Sequence, residues 1–124
     1  MNQIVATLLI AGLLPIICAG IAKWRAKDYN NHQPREWLGL QEAWRARADA
    51  AQQNSFEAFP FFAGGVLLAL VAGTDVAMIA QTCWVFIAAR VLYVVCYVAD
   101  KATLRSIVWV VGLGAVIRLY LIAI

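Results

Sequence analysis

Two sets of polar residues within apolar stretches have the types and spacing needed to bind a small charged ligand. The first set is Asn54 and Glu57, three residues apart, which places both on one side of a helix. The second set is Arg90, Tyr93 and Tyr97, spaced three and then four residues apart, which also share one helix side. A guanidinium binds carboxylates, and a carboxylate binds an ammonium group or a guanidinium. Together the two sets suit a zwitterionic ligand or one with several carboxylates.

The composition places these residues in a membrane protein. Hydrophobic residues make up 64% of the 124 residues and charged residues 14%, whereas a soluble domain is about half apolar and about a quarter charged. The length accommodates four membrane spans of about 20 residues each, with little left for a soluble part. We therefore relate the net charge of +3 to the bilayer, and predict no nucleic-acid partner.

The apolar segments and turn signals predict an all-α bundle of four membrane spans with up-down-up-down topology, forming a single domain over residues 1–124. We expect spans at about 4–22, 76–98 and 104–124, and a longer helix over about 41–72. That helix would be about 48 Å long, against a hydrocarbon core of about 30 Å, so its first half should project into the cytoplasm. Because no Lys or Arg precedes the first apolar segment, we interpret it as a retained span.

The distribution of Lys and Arg predicts the orientation of the chain. The first connection and the start of the long helix are rich in cations, and the third connection holds Lys101 with Arg105 just after it. The second connection and the N-terminus have none, so the positive-inside rule places connections one and three in the cytoplasm and both termini outside. The cations of the first region are Lys23, Arg25, Lys27, Arg35, Arg45 and Arg47.

Glu57 and Arg90 should lie at similar depth, because a short turn joins their helices. Glu57 precedes Gly73 by 16 residues, about 24 Å along the helix, and Arg90 follows Val76 by 14 residues, about 21 Å. We expect a Glu57–Arg90 ion pair, within one subunit or across a subunit boundary. From the residues alone, a structural helix-locking pair, a ligand site and an ion-coupling site are all open. Arg118 should extend to the outer interface.

The cysteine and histidine residues do not predict a metal site. Cys18, Cys83 and Cys96 lie far apart in apolar segments, and none belongs to a CxxC pair. His32 lies in the polar first connection, where we interpret it as a loop residue. We therefore predict no metal ion and no disulfide.

The segments RARADAAQQNSFEAFP and RVLYVVCYVADKATLR resemble the MAPEG family, the membrane-associated proteins of eicosanoid and glutathione metabolism. The likeness covers nearly the whole chain and is carried by the patterns Asn-x-x-Glu-x-x-Pro and Arg-x-x-Tyr-x-x-x-Tyr. The pattern most resembles the bacterial branch of the family, which is similar to the microsomal glutathione transferases, and this resemblance implies a bacterial inner membrane. The resemblance further implies a homotrimer that binds glutathione between adjacent subunits, near the cytoplasmic side.

The resemblance also implies roles for individual residues. Arg105 resembles the arginine that stabilises the glutathione thiolate in leukotriene synthase, although the spacing from Tyr97 is one residue longer here. The family usually has an arginine where this chain has Ala50. Arg47, one turn earlier on nearly the same face, is the candidate replacement. The glutathione-contacting positions are matched by Asn54, Glu57, Arg90, Tyr93 and Tyr97, with Gln52 at a weaker contact position.

The implied function is a glutathione-dependent transferase or peroxidase acting on lipophilic electrophiles or lipid hydroperoxides that arrive through the membrane lipid. A nearby guanidinium favours the thiolate of glutathione, which is the nucleophile. One alternative is a non-catalytic relative that binds glutathione or a lipid. A second is a small four-span exporter of cationic drugs, which is disfavoured because the first apolar segment has no acidic residue.

Overall fold

The computed structural model describes residues 1–124 and consists of five helices joined by turns and loops. The four long helices are α1 (Asn2–Lys23), α3 (Ala43–Val71), α4 (Val76–Val98) and α5 (Ala102–Leu121). Each of them is long and apolar enough to cross a membrane. A short helix, α2 (Pro34–Gly39), lies in the first connection. The predicted all-α bundle of four spans is therefore confirmed.

Helix α3 is continuous although Pro60 lies inside it. Its 29 residues give a length of about 44 Å, which exceeds the apolar thickness of about 30 Å. Both ends lie within two residues of the predicted bounds. The last span differs more, because α5 begins at Ala102 and ends at Leu121 rather than covering 104–124.

Helix α2 was not predicted, since the sequence indicated only a polar connection with turn signals in this part of the chain. Pro34 occupies the first turn, where a missing N–H removes no helical hydrogen bond. Trp37 and Leu38 are buried, and Trp37 Nε1 donates to Asp28 Oδ2 at 3.3 Å. The apolar side of α2 packs against Ala22 and other residues where α1 and α3 meet, which is why this polar segment is ordered into a helix.

Short turns hold α3, α4 and α5 next to one another. Gly73 has φ of 75°, a conformation that glycine adopts without strain. Asp75 Oδ1 accepts a 2.9 Å hydrogen bond from the backbone N–H of Met78, which caps the start of α4. The turn before α5 contains Asp100 with φ of 59°.

Two adjacent glycines let α5 approach α3 closely. A Cβ at Gly65 would lie 2.9 Å from Tyr120 Cε2 and 3.1 Å from Leu119 Cβ, and one at Gly64 would lie 2.8 Å from Tyr120 Oη. Tyr120 Oη also donates a hydrogen bond to the carbonyl of Phe61 at 3.1 Å. This contact sets the position of α5 relative to α3, and with it the space between the two helices.

Candidate functional site

The polar residues of α3 and α4 meet in one hydrogen-bonded cluster. Arg90 donates from Nη1 to Asn54 Oδ1 at 2.9 Å and from Nη2 to Ser55 Oγ at 3.1 Å. Asn54 Nδ2 in turn donates to Glu57 Oε2 at 3.4 Å. Arg90 is only 4% exposed, whereas Glu57 is exposed. The cluster thus holds a buried cation behind an amide and presents a carboxylate at its surface.

Glu57 and Arg90 do not form the expected ion pair within the chain. The only ion pair joins Arg47 and Asp100, with 4.0 Å between Nη1 and Oδ2. Asn54 takes the place of the carboxylate, because its Oδ1 accepts the hydrogen bond from the Arg90 guanidinium, and Glu57 is bonded only to the Asn54 amide. Arg90 is therefore a buried cation whose two side-chain acceptors are neutral, which is uncommon inside a protein.

A row of alternating guanidinium groups and tyrosine rings extends from Arg90 to α5. Arg90 Cζ lies 4.3 Å from the ring centroid of Tyr93, and the rings of Tyr93 and Tyr97 meet edge to face at 5.5 Å. Arg105 Cζ lies 4.3 Å from the ring centroid of Tyr97. The extra residue between Tyr97 and Arg105 therefore does not prevent their contact, and cation–π attraction helps to hold both guanidinium groups.

A cleft of about 200 Å³ opens between α3, α4 and α5 beside Arg90. One end is polar, with Asn54, Glu57 and Arg90. At Gly112, α5 passes close to α4, and an added Cβ would make van der Waals contact with Ala89 Cβ at 3.5 Å. The remaining walls of the cleft are apolar and are formed by Ala58, Phe61, Phe86, Trp109, Leu113 and Val116.

A more open groove of about 420 Å³ lies beside Arg105. Trp109 lines both this groove and the cleft, and it is the only residue shared by the two linings. Trp109 and Ser55 were not predicted from the sequence, because a tryptophan in an apolar helix and a serine in a polar stretch of helix have no distinctive pattern. The groove is lined by Tyr93, Arg105, Ser106, Trp109 and Val110.

The sequence model of the MAPEG family matches residues 4–124. The chain belongs to the MAPEG family. Searches of curated proteins and of solved structures gave no match. Together with the four apolar helices, membership identifies an integral membrane protein of a family linked to glutathione and eicosanoid metabolism.

Arg47 of this MAPEG protein lies apart from the cluster. Its Nε donates to the carbonyl of Val98 at 3.2 Å, and its guanidinium approaches Asp100. Arg47 precedes Asn54 by seven residues, about 10 Å along α3, and its side chain is drawn to the free carbonyls at the end of α4. Within one chain, the guanidinium of Arg47 therefore contacts the end of α4 and not the Arg90 cluster.

Gln52 also lies apart from the cluster in this MAPEG chain. Residues two apart on a helix do not face the same side, so Gln52 and Asn54 point in different directions. Gln52 lines a separate groove of about 510 Å³ with Arg35 and Asp49, where α2 meets α3. Within one chain, Gln52 and Asn54 therefore line different spaces.

The three cysteines are buried and unpaired, and they lie on α1 and α4. No three His, Cys, Asp or Glu side chains lie together as a metal site would require. The polar side chains that could contact a ligand inside the bundle are concentrated around Arg90.

Proposed function

We propose that this protein is a glutathione-dependent transferase or peroxidase acting on lipophilic electrophiles. The observation that carries the proposal is Arg90, a buried cation without a carboxylate partner at the polar end of an open cleft. Burying an unpaired charge costs free energy, which an anionic ligand would offset. Glutathione has two carboxylates, an ammonium group and a thiol, which complement Arg90, Glu57 and Arg105. Membership of the MAPEG family supports the same ligand.

Arg105 is the residue proposed to activate the thiol. A free thiol has a pKa of about 8.5, so most glutathione is protonated at neutral pH. A guanidinium next to the sulfur lowers the pKa of that thiol and increases the thiolate fraction. Arg105 is held over the ring of Tyr97 at the side of an open groove, where a bound thiol could lie against it.

The two proposed reactions use the same thiolate. In conjugation the sulfur attacks an electrophilic carbon, a C–S bond forms, and the leaving group departs with its electron pair. With a hydroperoxide the sulfur attacks the terminal oxygen, the O–O bond breaks, and the alkoxide takes a proton to become an alcohol. A second glutathione then reduces the sulfenic acid, giving the disulfide and water.

We also propose that glutathione lies between subunits of a homotrimer. The supporting observation is that Gln52 and Asn54, both implied by the family resemblance to contact glutathione, line separate spaces of one chain, as expected when two chains contribute to one site. The excess of Lys and Arg in connections one and three supports a cytoplasmic position for the cluster. The proposed location is a bacterial inner membrane.

Titration of the purified protein with glutathione tests the proposal. We expect saturable binding and an increase in thiolate absorbance, and weaker binding by Glu57→Ala and Arg90→Lys. Gln81→Ala on α4 is the control, because Gln81 is exposed and lines neither the cleft nor either groove. Absence of binding by the wild type, or wild-type affinity in both site variants, contradicts the proposal.

A second candidate is a MAPEG protein that binds glutathione or a lipid without catalysis. It is favoured by one observation, the absence of an arginine at Ala50 while Arg47 is engaged at the end of α4. Turnover of chlorodinitrobenzene that Arg105→Ala abolishes would exclude it. The drug-exporter alternative loses its support, since the chain belongs to the MAPEG family.

A further inference from the structure

Trp109 lies between two recesses, the cleft beside Arg90 and the groove beside Arg105. We infer that Trp109 limits the length of the electrophile's apolar tail, so that short-chain electrophiles, with α,β-unsaturated aldehydes as the probes, are accepted in preference to long-chain ones. This inference rests on the proposed glutathione-dependent function and names the residue that restricts its second substrate.

Trp109 is well placed for this role on α5. It follows Arg105 by four residues, which is about one helical turn, so both side chains lie on the same side of α5. The indole is 43% exposed and is therefore not held in the core of the bundle. It borders the groove beside Arg105 and also the cleft beside Arg90.

The two recesses are lined by side chains of different chemistry, and Trp109 lies at the boundary between them. The groove contains the guanidinium proposed to activate the thiol, whereas the far end of the cleft is apolar. The apolar lining of the cleft suits the tail of a lipophilic electrophile, and a tail that extends there from Arg105 passes Trp109, the one residue that lines both spaces. Glutathione bound to Asn54, Glu57 and Arg90 would occupy the polar end, and so leaves only part of the volume of about 200 Å³ for a tail.

Addition to an unsaturated aldehyde is a balanced reaction that needs no further reactant. The thiolate sulfur forms a bond to the β carbon, and the carbon–carbon π bond breaks. Its electron pair moves through the α carbon to the carbonyl oxygen as an enolate. A proton from water then adds at the α carbon, which gives the saturated thioether aldehyde.

The test compares hexenal, nonenal and dodecenal as straight-chain α,β-unsaturated substrates with the full-length protein in one detergent. For the wild type we expect kcat/KM to fall as the chain lengthens. Trp109→Ala should raise kcat/KM for dodecenal about tenfold and change that for hexenal less than about twofold, a range typical of apolar pocket contacts. The dodecenal-to-hexenal ratio in each variant, compared with that of the wild type, cancels partitioning of the aldehydes into detergent.

Two further variants make the result specific. Trp109→Phe should give an intermediate ratio, and it keeps the test decisive if the alanine variant does not fold. Trp84→Ala is the matched control, because Trp84 is an indole on α4 with 41% exposure that lines neither recess. The control should keep the wild-type ratio.

Glutathione binding is measured for every variant, which separates failure of this inference from failure of the proposed function. If Trp109→Ala binds glutathione normally but keeps the wild-type ratio, or loses dodecenal turnover most strongly, the inference is overturned and the proposed function stands. An equal change in Trp84→Ala also overturns it. A wild type that neither binds glutathione nor converts any aldehyde overturns both.

Discussion

Arg90 Nη1 donates a 2.9 Å hydrogen bond to Asn54 Oδ1, and this bond joins α4 to α3 beside the candidate site. Because Asn54 also donates to Glu57, one amide orients both charged residues. The amide therefore determines how far apart the cation and the carboxylate are presented to a ligand.

Replacement of Asn54 by alanine should weaken both the fold and the site. Hydrogen bonds to charged groups contribute about 1.5–3 kcal/mol, so we expect Asn54→Ala to lower the free energy of unfolding by about that amount. Glutathione binding should weaken at the same time, because Glu57 loses its partner. Chemical denaturation in detergent micelles and calorimetric titration measure the two effects. Unchanged stability would show that the Arg90 contact contributes nothing.

Ser55 should act as the second support for Arg90. Its Oγ accepts from Arg90 Nη2 at 3.1 Å and donates to the carbonyl of Ala51 at 2.8 Å. Ser55→Ala leaves one buried N–H of the guanidinium without an acceptor, which costs about 1–3 kcal/mol. Ser55→Thr keeps the hydroxyl and should recover much of that loss in the same unfolding measurement. Equal stability of the two variants would contradict this role.

The close approach of α3 and α5 predicts opposite effects for two glycine substitutions. Gly65→Ala would place a Cβ 2.9 Å from the ring of Tyr120, so we expect destabilisation of about 1–3 kcal/mol, as for other overpacked sites. Gly114→Ala on α5 meets nothing within 4 Å, and alanine should stabilise that helix by up to about 1 kcal/mol. Thermal unfolding gives the Tm of each variant relative to the wild type, and equal changes in Tm for the two variants would refute the predicted packing.

Substitution of Arg105 should change the pH at which the thiol of bound glutathione ionises. A cation lowers the pKa of a nearby thiol, so the thiolate forms at lower pH than in solution. Arg105→Ala should move the midpoint of thiolate formation upward, toward about 8.5. Absorbance of the thiolate measured across pH gives this midpoint. Arg118→Ala, near the other end of α5, should leave the midpoint unchanged, and an unchanged midpoint in Arg105→Ala would exclude Arg105 as activator.

The charge distribution predicts that both termini lie outside the cytoplasm. A phosphatase reporter, which folds only outside, should therefore be active when it is fused after Ile124. A fluorescent reporter that matures only inside should be dark at the same position. The reverse pattern would invert the orientation and place the Arg90 cluster on the outer side.

The sequence by itself determined the four spans, the length of α3 and the two faces that carry the site residues. Runs of apolar residues have to match the thickness of the bilayer, and residues three or four apart must share a helix face. A short turn between α3 and α4 was enough to predict that Asn54, Glu57 and Arg90 lie at one depth. These are local properties of the chain, so they can be deduced without knowing how the helices pack.

Only the tertiary structure decided which side chains meet. Asn54 and not Glu57 bonds to Arg90, Arg47 binds the end of α4, and Trp109 borders both recesses. These outcomes depend on the rotation and separation of the helices, which are set by close contacts such as that between Gly65 and Tyr120. Helical periodicity specifies the face on which a residue lies, but packing between helices specifies what that face contacts.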